Sequence, residues 1–194
     1  FEDCRFLGFQ DTLFLAPLPE HEYEKGGFRG PKEHTERTVG YHYFNNCYIE
    51  GDIDFIFGGA AALFENCEIF SINREKEING YITAPCTPKG NGPGLVFYKC
   101  CFTGNCAPGS VYLGRPWRNH ARTVIIKSEL GAHIHPEGFH DWEKKDSHDS
   151  FFFAEFRNNG EGAKTDRRAD FVIQIDNEQA DYIIEEIRAL CSRR

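Results

Sequence analysis

Residues 48–59 read YIEGDIDFIFGG and place two aspartates inside a run that otherwise has the composition of a buried strand. In one extended strand the side chains alternate between faces, so Asp52 and Asp54 are expected to point the same way. An acid between apolar neighbours such as Phe55 and Ile56 is costly to desolvate unless it has partners or a chemical task. Asp54 is therefore the first candidate for a functional residue.

A short pattern that includes the start of this run recurs along the chain: Phe, two residues, Cys, one residue, then an apolar residue. It occurs as FEDCRF (residues 1–6), FNNCYI (residues 44–49), FENCEI (residues 64–69) and FYKCCF (residues 97–102). Its cysteines are 43, 20 and 33 residues apart, which is close to one coil of a parallel β-helix with loops of varying length. We therefore predict an all-β solenoid whose like side chains stack about 4.8 Å apart.

The cysteines of this pattern are interpreted mainly as small buried apolar residues. A disulfide between Cys86 and Cys106 is left open by the sequence, and so is the redox compartment. No metal site is predicted, because the spacing of the cysteines does not match a zinc site and the histidines are irregularly spaced in predicted loops.

One domain is predicted over residues 1–194. Residues 16–37 are polar and rich in Pro and Gly, which indicates a long excursion or a hairpin between coils. Helical periodicity is confined to the end, where apolar residues follow the i, i+3, i+4, i+7 pattern with Asn177 as the expected N-cap; they are Ala180, Ile183, Ile184, Ile187, Leu190 and Cys191. This short helix is expected to pack on the outside of the stack.

Charge and hydropathy argue against two classes of partner. The formal net charge is −8 and no basic tract is present, so a nucleic-acid partner is not expected. No apolar run approaches the roughly 18 residues of a membrane span, so a membrane partner is not expected either.

Two further polar motifs offer chemistry. Gln10 and Asp11 provide an amide donor beside a second acid, and the motif LGRPW provides a guanidinium at Arg115 and an indole at Trp117. An indole face stacks on apolar planes such as sugar rings, and a guanidinium matches a carboxylate in a bidentate pair. Together with Asp54, these groups fit work on an acidic sugar.

The blocks GFQDTLF (residues 8–14), YIEGDIDFIFG (residues 48–58) and YLGRPW (residues 112–117), in this order, resemble the signature blocks of the pectin methylesterases. The similarity extends through TAPCT (residues 83–87) and FAEFRNNGEGA (residues 153–163), and so covers most of the chain. The resemblance implies a right-handed parallel β-helix, and hydrolysis of the methyl esters of galacturonate in pectin. It also implies a secreted or cell-wall protein, and we expect it to act as a monomer.

The same resemblance implies a role for each matching residue. Asp54 would be the nucleophile, Asp11 the general acid and then base, and Gln10 an oxyanion donor. Arg115 and Trp117 would form the substrate-binding pair, and Phe57 would line the sugar site. The chemistry implied needs no cofactor and no metal.

Three alternatives remain open from the sequence. The same fold could carry a pectin depolymerase that uses two aspartates on the glycosidic bond, or a polysaccharide-binding solenoid with structural acids. Family members also carry N-terminal coils with another glutamine of the oxyanion hole. We expect this chain to lack those coils, which makes a catalytically weakened fragment the third alternative.

Overall fold

Three parallel sheets form the wall of the molecule, and the chain visits them in the same order in successive coils. The computed structural model describes residues 1–22, 26–27 and 36–192. Within these residues the strands, in chain order, are β1 (Arg5–Phe6), β2 (Leu13–Leu15), β3 (Tyr41–Asn45), β4 (Tyr48–Gly51), β5 (Ile53–Gly58), β6 (Ala61–Glu65), β7 (Glu68–Ser71), β8 (Gly80–Pro85), β9 (Leu95–Tyr98), β10 (Cys101–Gly104), β11 (Val111–Gly114), β12 (Arg122–Ile126), β13 (Glu129–Leu130), β14 (Phe152–Phe156) and β15 (Val172–Gln174).

The order of the strands in each sheet defines the fold. The first sheet is β1-β4-β7-β10-β13, the second is β2-β5-β8-β11, and the third is β3-β6-β9-β12-β14-β15. The pairings between neighbouring strands are parallel. Each of the first four circuits, from β1 to β12, therefore adds one strand to each sheet, and the rest of the chain adds β13 to the first sheet and β14 and β15 to the third. The described residues form the predicted right-handed parallel β-helix.

A ladder of phenylalanines fills the interior and confirms the repeat read from the sequence. Phe1 stacks on Phe44 with ring centroids 4.8 Å apart, Phe44 on Phe64 at 4.7 Å, and Phe64 on Phe97 at 4.6 Å. The rings are within about 10° of parallel. Because β3, β6 and β9 pair in register, the same ring returns at the same place in each coil.

The chain bends between the third and first sheets at a left-handed residue, and this bend explains where the repeated cysteines lie. The residue before each of them has a positive φ, as do the equivalent residues of the following coils; they are Asp3, Asn46, Asn66, Lys99, Lys127 and Arg157. Asn and Asp adopt this conformation with less strain than most residues. After the bend, Cys47, Cys67 and Cys100 point into the core and are buried.

All eight cysteines lie in the described part of the chain, and all are free thiols. The disulfide left open between Cys86 and Cys106 is therefore absent from this structure. The Sγ of Cys86 lies 3.7 Å from the carbonyl oxygen of Pro17, whereas the Sγ of Cys106 lies 3.4 Å from that of Ser71. Each thiol is thus directed toward a different backbone carbonyl.

The C-terminal helix α1 (Asn177–Cys191) packs on the outer face of the third sheet, as expected. Its buried side is formed by Ala180, Ile183, Ile184 and Ile187. The predicted cap at Asn177 is wrong by one residue. Asp176 accepts a hydrogen bond from the Gln179 amide at 2.9 Å, and Gln179 accepts one from the Asp176 amide at 3.0 Å. This reciprocal capping box needs a three-residue spacing, which Asp176 and Gln179 have.

A charged pair closes the later end of the interior. Glu155 takes the register position above Ile125, which itself pairs with Phe97. Arg168 forms a bidentate pair with the Glu155 carboxylate at 2.6 and 3.1 Å, and the two side chains are only 4% and 2% exposed. Arg168 also donates to the carbonyl of Gly162 at 2.7 Å, so the buried guanidinium has several acceptors.

Part of the predicted excursion at residues 16–37 falls on residues 23–25 and 28–35, which lie outside the described residues. No helix formed by the described residues is long and apolar enough to span a membrane.

Candidate active site

Asp54 lies at a β-bulge in the second sheet. Ile53 pairs with Tyr81 and Ile56 with Thr83, so three steps along β5 match two steps along β8. The extra residue is accommodated by a left-handed backbone at Asp54, with φ of 50°. A bulge re-aims the side chain that it carries and is common beside active sites. Here it lets two successive residues after Asp54 enter the core while the carboxylate turns outward.

This bulge overturns the expected single strand through residues 48–59. The chain turns at Asp52, which joins β4 of the first sheet to β5 of the second. The Asp52 carboxylate accepts from the Ile53 amide at 2.6 Å and lies 3.7 Å from the Arg74 guanidinium. Asp52 and Asp54 therefore do not share one strand face, because Asp52 lies at the turn before β5 and Asp54 lies at the bulge within it. The two acids have separate arginine partners.

The partner of Asp54 is Arg115. Its Nε and Nη2 donate to the two oxygens of the Asp54 carboxylate at 2.9 and 2.7 Å. Arg115 follows β11, and its amide donates to the carbonyl of Thr83 at 2.9 Å. The guanidinium is sandwiched between aromatic rings, with its Cζ 3.9 Å from the ring centroid of Tyr81 and 3.7 Å from that of Trp142. Two ring faces and a carboxylate thus fix the orientation of the planar cation.

Asp11 projects from an equivalent kink in the preceding coil. Its φ is 58°, close to the 50° of Asp54, and its amide donates to the carbonyl of Ile53 at 3.1 Å. The turn is secured by Thr12, whose Oγ1 contacts the carbonyl oxygens of Phe9 and Glu50 at 3.1 and 3.0 Å. Gln10 lies exposed on the same turn. The two candidate acids therefore come from neighbouring rungs.

Both candidate acids have raised pKa values. Burial raises the pKa of Asp54, and the positive charges of Arg115 and Lys144 offset part of that rise. Partial burial raises the pKa of Asp11, the negative charge of Asp54 raises it further, and Arg115 lowers it in part. Because the guanidinium is bonded directly to Asp54, a proton shared by the two acids is better placed on Asp11.

An aromatic surface lies beside the ion pair. The Trp117 and Phe57 rings meet edge to face with centroids 5.9 Å apart, and Phe57 contacts Phe14 at 5.1 Å. The Trp117 amide donates to the carbonyl of Pro85 at 3.0 Å, which ties the indole's backbone to the second sheet. Phe14 is 42% exposed. These rings form a wall on which an apolar sugar face can stack.

The structure thus brings together Asp54, Arg115 and Asp11, with Trp117 and Phe57 adjoining them. Sequence reasoning missed Tyr81 and Trp142, which hold the guanidinium, and it missed Lys144, which lies close behind it. Tyr81 lies in β8, which is distant in sequence from both Asp54 and Arg115. Trp142 and Lys144 lie in a loop that carries no recognisable motif. The sequence offered Arg115 as a guanidinium able to match a carboxylate, and the structure pairs it with Asp54.

Among the described residues, no three His, Cys, Asp or Glu side chains converge to hold a metal ion. The histidines of the later coils have other contacts. His148 lies 3.1 Å from the Asp141 carboxylate, and His135 stacks on Tyr112 with centroids 4.1 Å apart.

A β-helix with an arginine-paired aspartate, a second acid in the adjacent rung and an aromatic wall agrees with one known class. The chain belongs to the pectinesterase family, whose model, described as Pectinesterase, matches residues 33–183. Among its relatives, Pectinesterase 31 of Arabidopsis thaliana is 34% identical over 185 residues, which cover 95% of this chain and 50% of that protein.

Solved structures agree with this assignment. The fold is similar to that of the pectin methylesterase from carrot, with a TM-score of 0.70 and 25% identity over 92% of this chain and 52% of that one. It is also similar to a pectin methylesterase in complex with hexasaccharide VII, with a TM-score of 0.69 and 26% identity over 96% of this chain and 56% of that one. The chain spans between 22% and 53% of the length of the curated relatives compared with it.

Proposed function

We propose that this protein hydrolyses the methyl esters of galacturonate units in pectin and releases methanol. The observation that carries the proposal is the bidentate pair between Asp54 and Arg115 at 2.9 and 2.7 Å, with Asp11 electrostatically coupled to it. Membership of the pectinesterase family supports the same reaction. The related pectin methylesterase in complex with a hexasaccharide supports a polysaccharide as substrate.

The first half of the reaction forms an acyl-enzyme. An oxygen of the Asp54 carboxylate attacks the ester carbonyl carbon, and the carbonyl oxygen becomes an oxyanion. The Gln10 amide donates to that oxyanion, a contact worth roughly 3–4 kcal/mol when preorganised. As the tetrahedral intermediate collapses, the bond to the methoxy oxygen breaks and Asp11 gives its proton to the leaving group. The products are methanol and an anhydride between Asp54 and the galacturonyl carbon.

The second half returns the enzyme to its starting state. Asp11, now a carboxylate, takes a proton from a water molecule while the water oxygen attacks the anhydride. The bond between the acyl carbon and Asp54 breaks, and the Asp54 carboxylate returns to Arg115. One water is consumed, and the galacturonate acid is released. Two acids with opposite protonation states are needed, and the two hydrogen bonds from Arg115 to Asp54 support this division.

The aromatic wall supplies binding. Trp117 and Phe57 would stack on the sugar rings, and Arg115 would orient Asp54 and meet the substrate near the reacting carbon. The excess of acidic residues over the chain disfavours long-range attraction of a fully ionised polyuronate and favours an esterified one. We propose that the protein acts as a monomer on pectin in the cell wall, without a cofactor or metal.

Methanol release from esterified pectin tests the proposal. We expect activity in the purified protein, and a loss of about 10³-fold or more in Asp54→Asn, because an amide is a poor nucleophile. Asp52→Asn is the matched control, since Asp52 lies two residues away and pairs with Arg74 instead. It should keep near-normal activity.

The alternatives give different results in the same assay. A depolymerase would create new reducing ends and shorten the chain without methanol. A binding solenoid would retain pectin on an affinity gel but release no methanol in any variant. Equal activity in Asp54→Asn and the unsubstituted protein would exclude Asp54 as the nucleophile.

A further inference from the structure

Lys144 lies directly behind the proposed catalytic pair. Its Nζ donates to the carbonyl oxygen of Pro116 and, at 3.2 Å, to that of Trp117. These two carbonyls belong to the segment that follows β11 and carries Arg115. The side chain is half-buried and comes from a different coil of the β-helix. One ammonium group therefore joins the Arg115 segment to the loop that carries Trp142.

The same loop also contacts the Arg115 guanidinium, through the Trp142 ring. The Trp142 ring centroid is 3.7 Å from the Cζ of Arg115 and 4.8 Å from the Nζ of Lys144. Trp142 and Glu143 both have a left-handed backbone, with φ of 53° and 59°. Such a conformation is costly for two successive large residues, so surrounding contacts must hold it. The Lys144 hydrogen bonds are contacts of this kind.

Among the residues that the structure describes, three charged groups act on Lys144 from the elements packed around it. Arg115 and Arg118 contribute positive charge from the segment after β11, and Asp54 contributes negative charge from β5. Burial, followed by the two arginines, lowers the pKa of Lys144 to about 8, while Asp54 raises it in part. In return, the Lys144 charge lowers the pKa of Asp54 in part. The coupling between lysine and aspartate is therefore mutual.

We propose that Lys144 is a positioning residue for the esterase site, which holds the Arg115 segment against the Trp142 loop and adds a second positive charge behind Asp54. The inference rests on the proposed function, since it concerns how the nucleophile is held ready for attack. Lys144 acts through Arg115 and Asp54, and its ammonium donates to the backbone carbonyls of Pro116 and Trp117.

The first experiment follows tryptophan fluorescence against pH. The chain contains two tryptophans; Trp117 receives a Lys144 hydrogen bond on its carbonyl and Trp142 contacts the ammonium with its ring. We expect a transition with a midpoint of about pH 8, which should persist in the control Lys145→Met, because Lys145 is the exposed neighbour. The transition should be absent in Lys144→Met, because methionine does not titrate, and in Lys144→Arg, because arginine stays charged. A transition unchanged in Lys144→Met would overturn the inference.

The second experiment measures kcat/KM for methanol release against pH. Loss of a nearby positive charge should move the acidic limb of Lys144→Met upward by several tenths to about one pH unit. Misplacement of the arginine should lower kcat by roughly tenfold or more, with a smaller change in KM. Lys144→Arg should restore the acidic limb, which a purely structural role would not require. A lower melting temperature with an unchanged pH profile would mean that Lys144 only stabilises the fold.

The two experiments separate failure of the inference from failure of the proposed function. The fluorescence transition needs no turnover, so it tests the placement of Lys144 even if the purified protein releases no methanol. Absence of methanol release would count against the proposed function alone. Circular dichroism shows whether each variant is folded. If Lys144→Met is unfolded, the comparison of Lys144→Arg with the unsubstituted protein decides the outcome.

Discussion

Replacing Arg115 by Met removes the cation that offsets the burial of Asp54. The Asp54 side chain is 11% exposed and that of Arg115 is 17% exposed, so their bonds at 2.7 and 2.9 Å are poorly screened by solvent. Burial already raises the pKa of Asp54, and Arg115 provides the largest opposing contribution. Without it, we expect that pKa to rise by a further 1–3 units or so.

Because the proposed nucleophile is the ionised carboxylate, this shift can be converted into a rate. Below its pKa, each unit of displacement reduces the ionised fraction of Asp54 tenfold. At a fixed pH on the acidic limb, kcat/KM of Arg115→Met should therefore fall by about 10- to 1,000-fold. Arg115→Lys keeps a charge but loses the second hydrogen bond and the planar stacking between Tyr81 and Trp142. The acidic limb of the pH profile should therefore move less in Arg115→Lys than in Arg115→Met, while kcat should still fall.

The assay is the initial rate of methanol release from esterified pectin, measured over the pH range in which the protein remains folded. Arg74→Met is the matched control, because Arg74 lies 3.7 Å from Asp52 and is 34% exposed. Its acidic limb should coincide with that of the unsubstituted protein. An identical acidic limb in Arg115→Met would refute the reasoning, since it would mean that Asp54 does not limit activity at low pH.

Two further predictions concern stability. The pKa of Asp11 is raised in the folded protein, so its contribution to stability is present below about pH 4 and is lost as pH rises through the folded-state pKa. The melting temperature of Asp11→Asn should therefore gain on that of the unsubstituted protein as pH rises from about 4 through the folded-state pKa, and a constant difference across that range would contradict this. Arg168→Met leaves the buried Glu155 without its bidentate partner, so it should lower the free energy of unfolding, measured by urea titration, by roughly 3–5 kcal/mol. Substitution of both Arg168 and Glu155 by Met should recover much of that loss. An unchanged free energy of unfolding in Arg168→Met would show that the pair is dispensable.

The repeat and the fold were readable from the sequence because each coil states the same pattern. Phe44, Phe64 and Phe97 stand at equal positions before their cysteines, and the structure stacks them less than 5 Å apart. The apolar face of α1 was readable from its period, whereas its cap was misplaced because Asp176 and Asn177 are both good cap residues and only the partner at Gln179 decides between them.

The site could be predicted only in part from the sequence. One error came from the local backbone conformation, and one omission came from contacts between residues distant in sequence. Alternation placed Asp52 and Asp54 together, and it failed because the chain turns at Asp52, between β4 and β5, without any change in composition. The left-handed backbone at Asp54 then shifts the register within β5. The contacts of Tyr81 and Trp142 with the Arg115 guanidinium were missed. The stacking of coils brings these residues together, and their spacing in the sequence does not indicate it. The catalytic roles themselves stay predictions.

The stacking of coils also limits how this molecule can vary. The proposed site draws on five successive circuits, through Asp11, Asp54, Tyr81, Arg115 and Trp142. Lengthening a loop leaves the rungs in place, but inserting or deleting a whole circuit between Asp54 and Arg115 would displace them by about 4.8 Å, beyond hydrogen-bond reach. A change in loop length is therefore compatible with this site, whereas a change in the number of circuits that separate these residues is not.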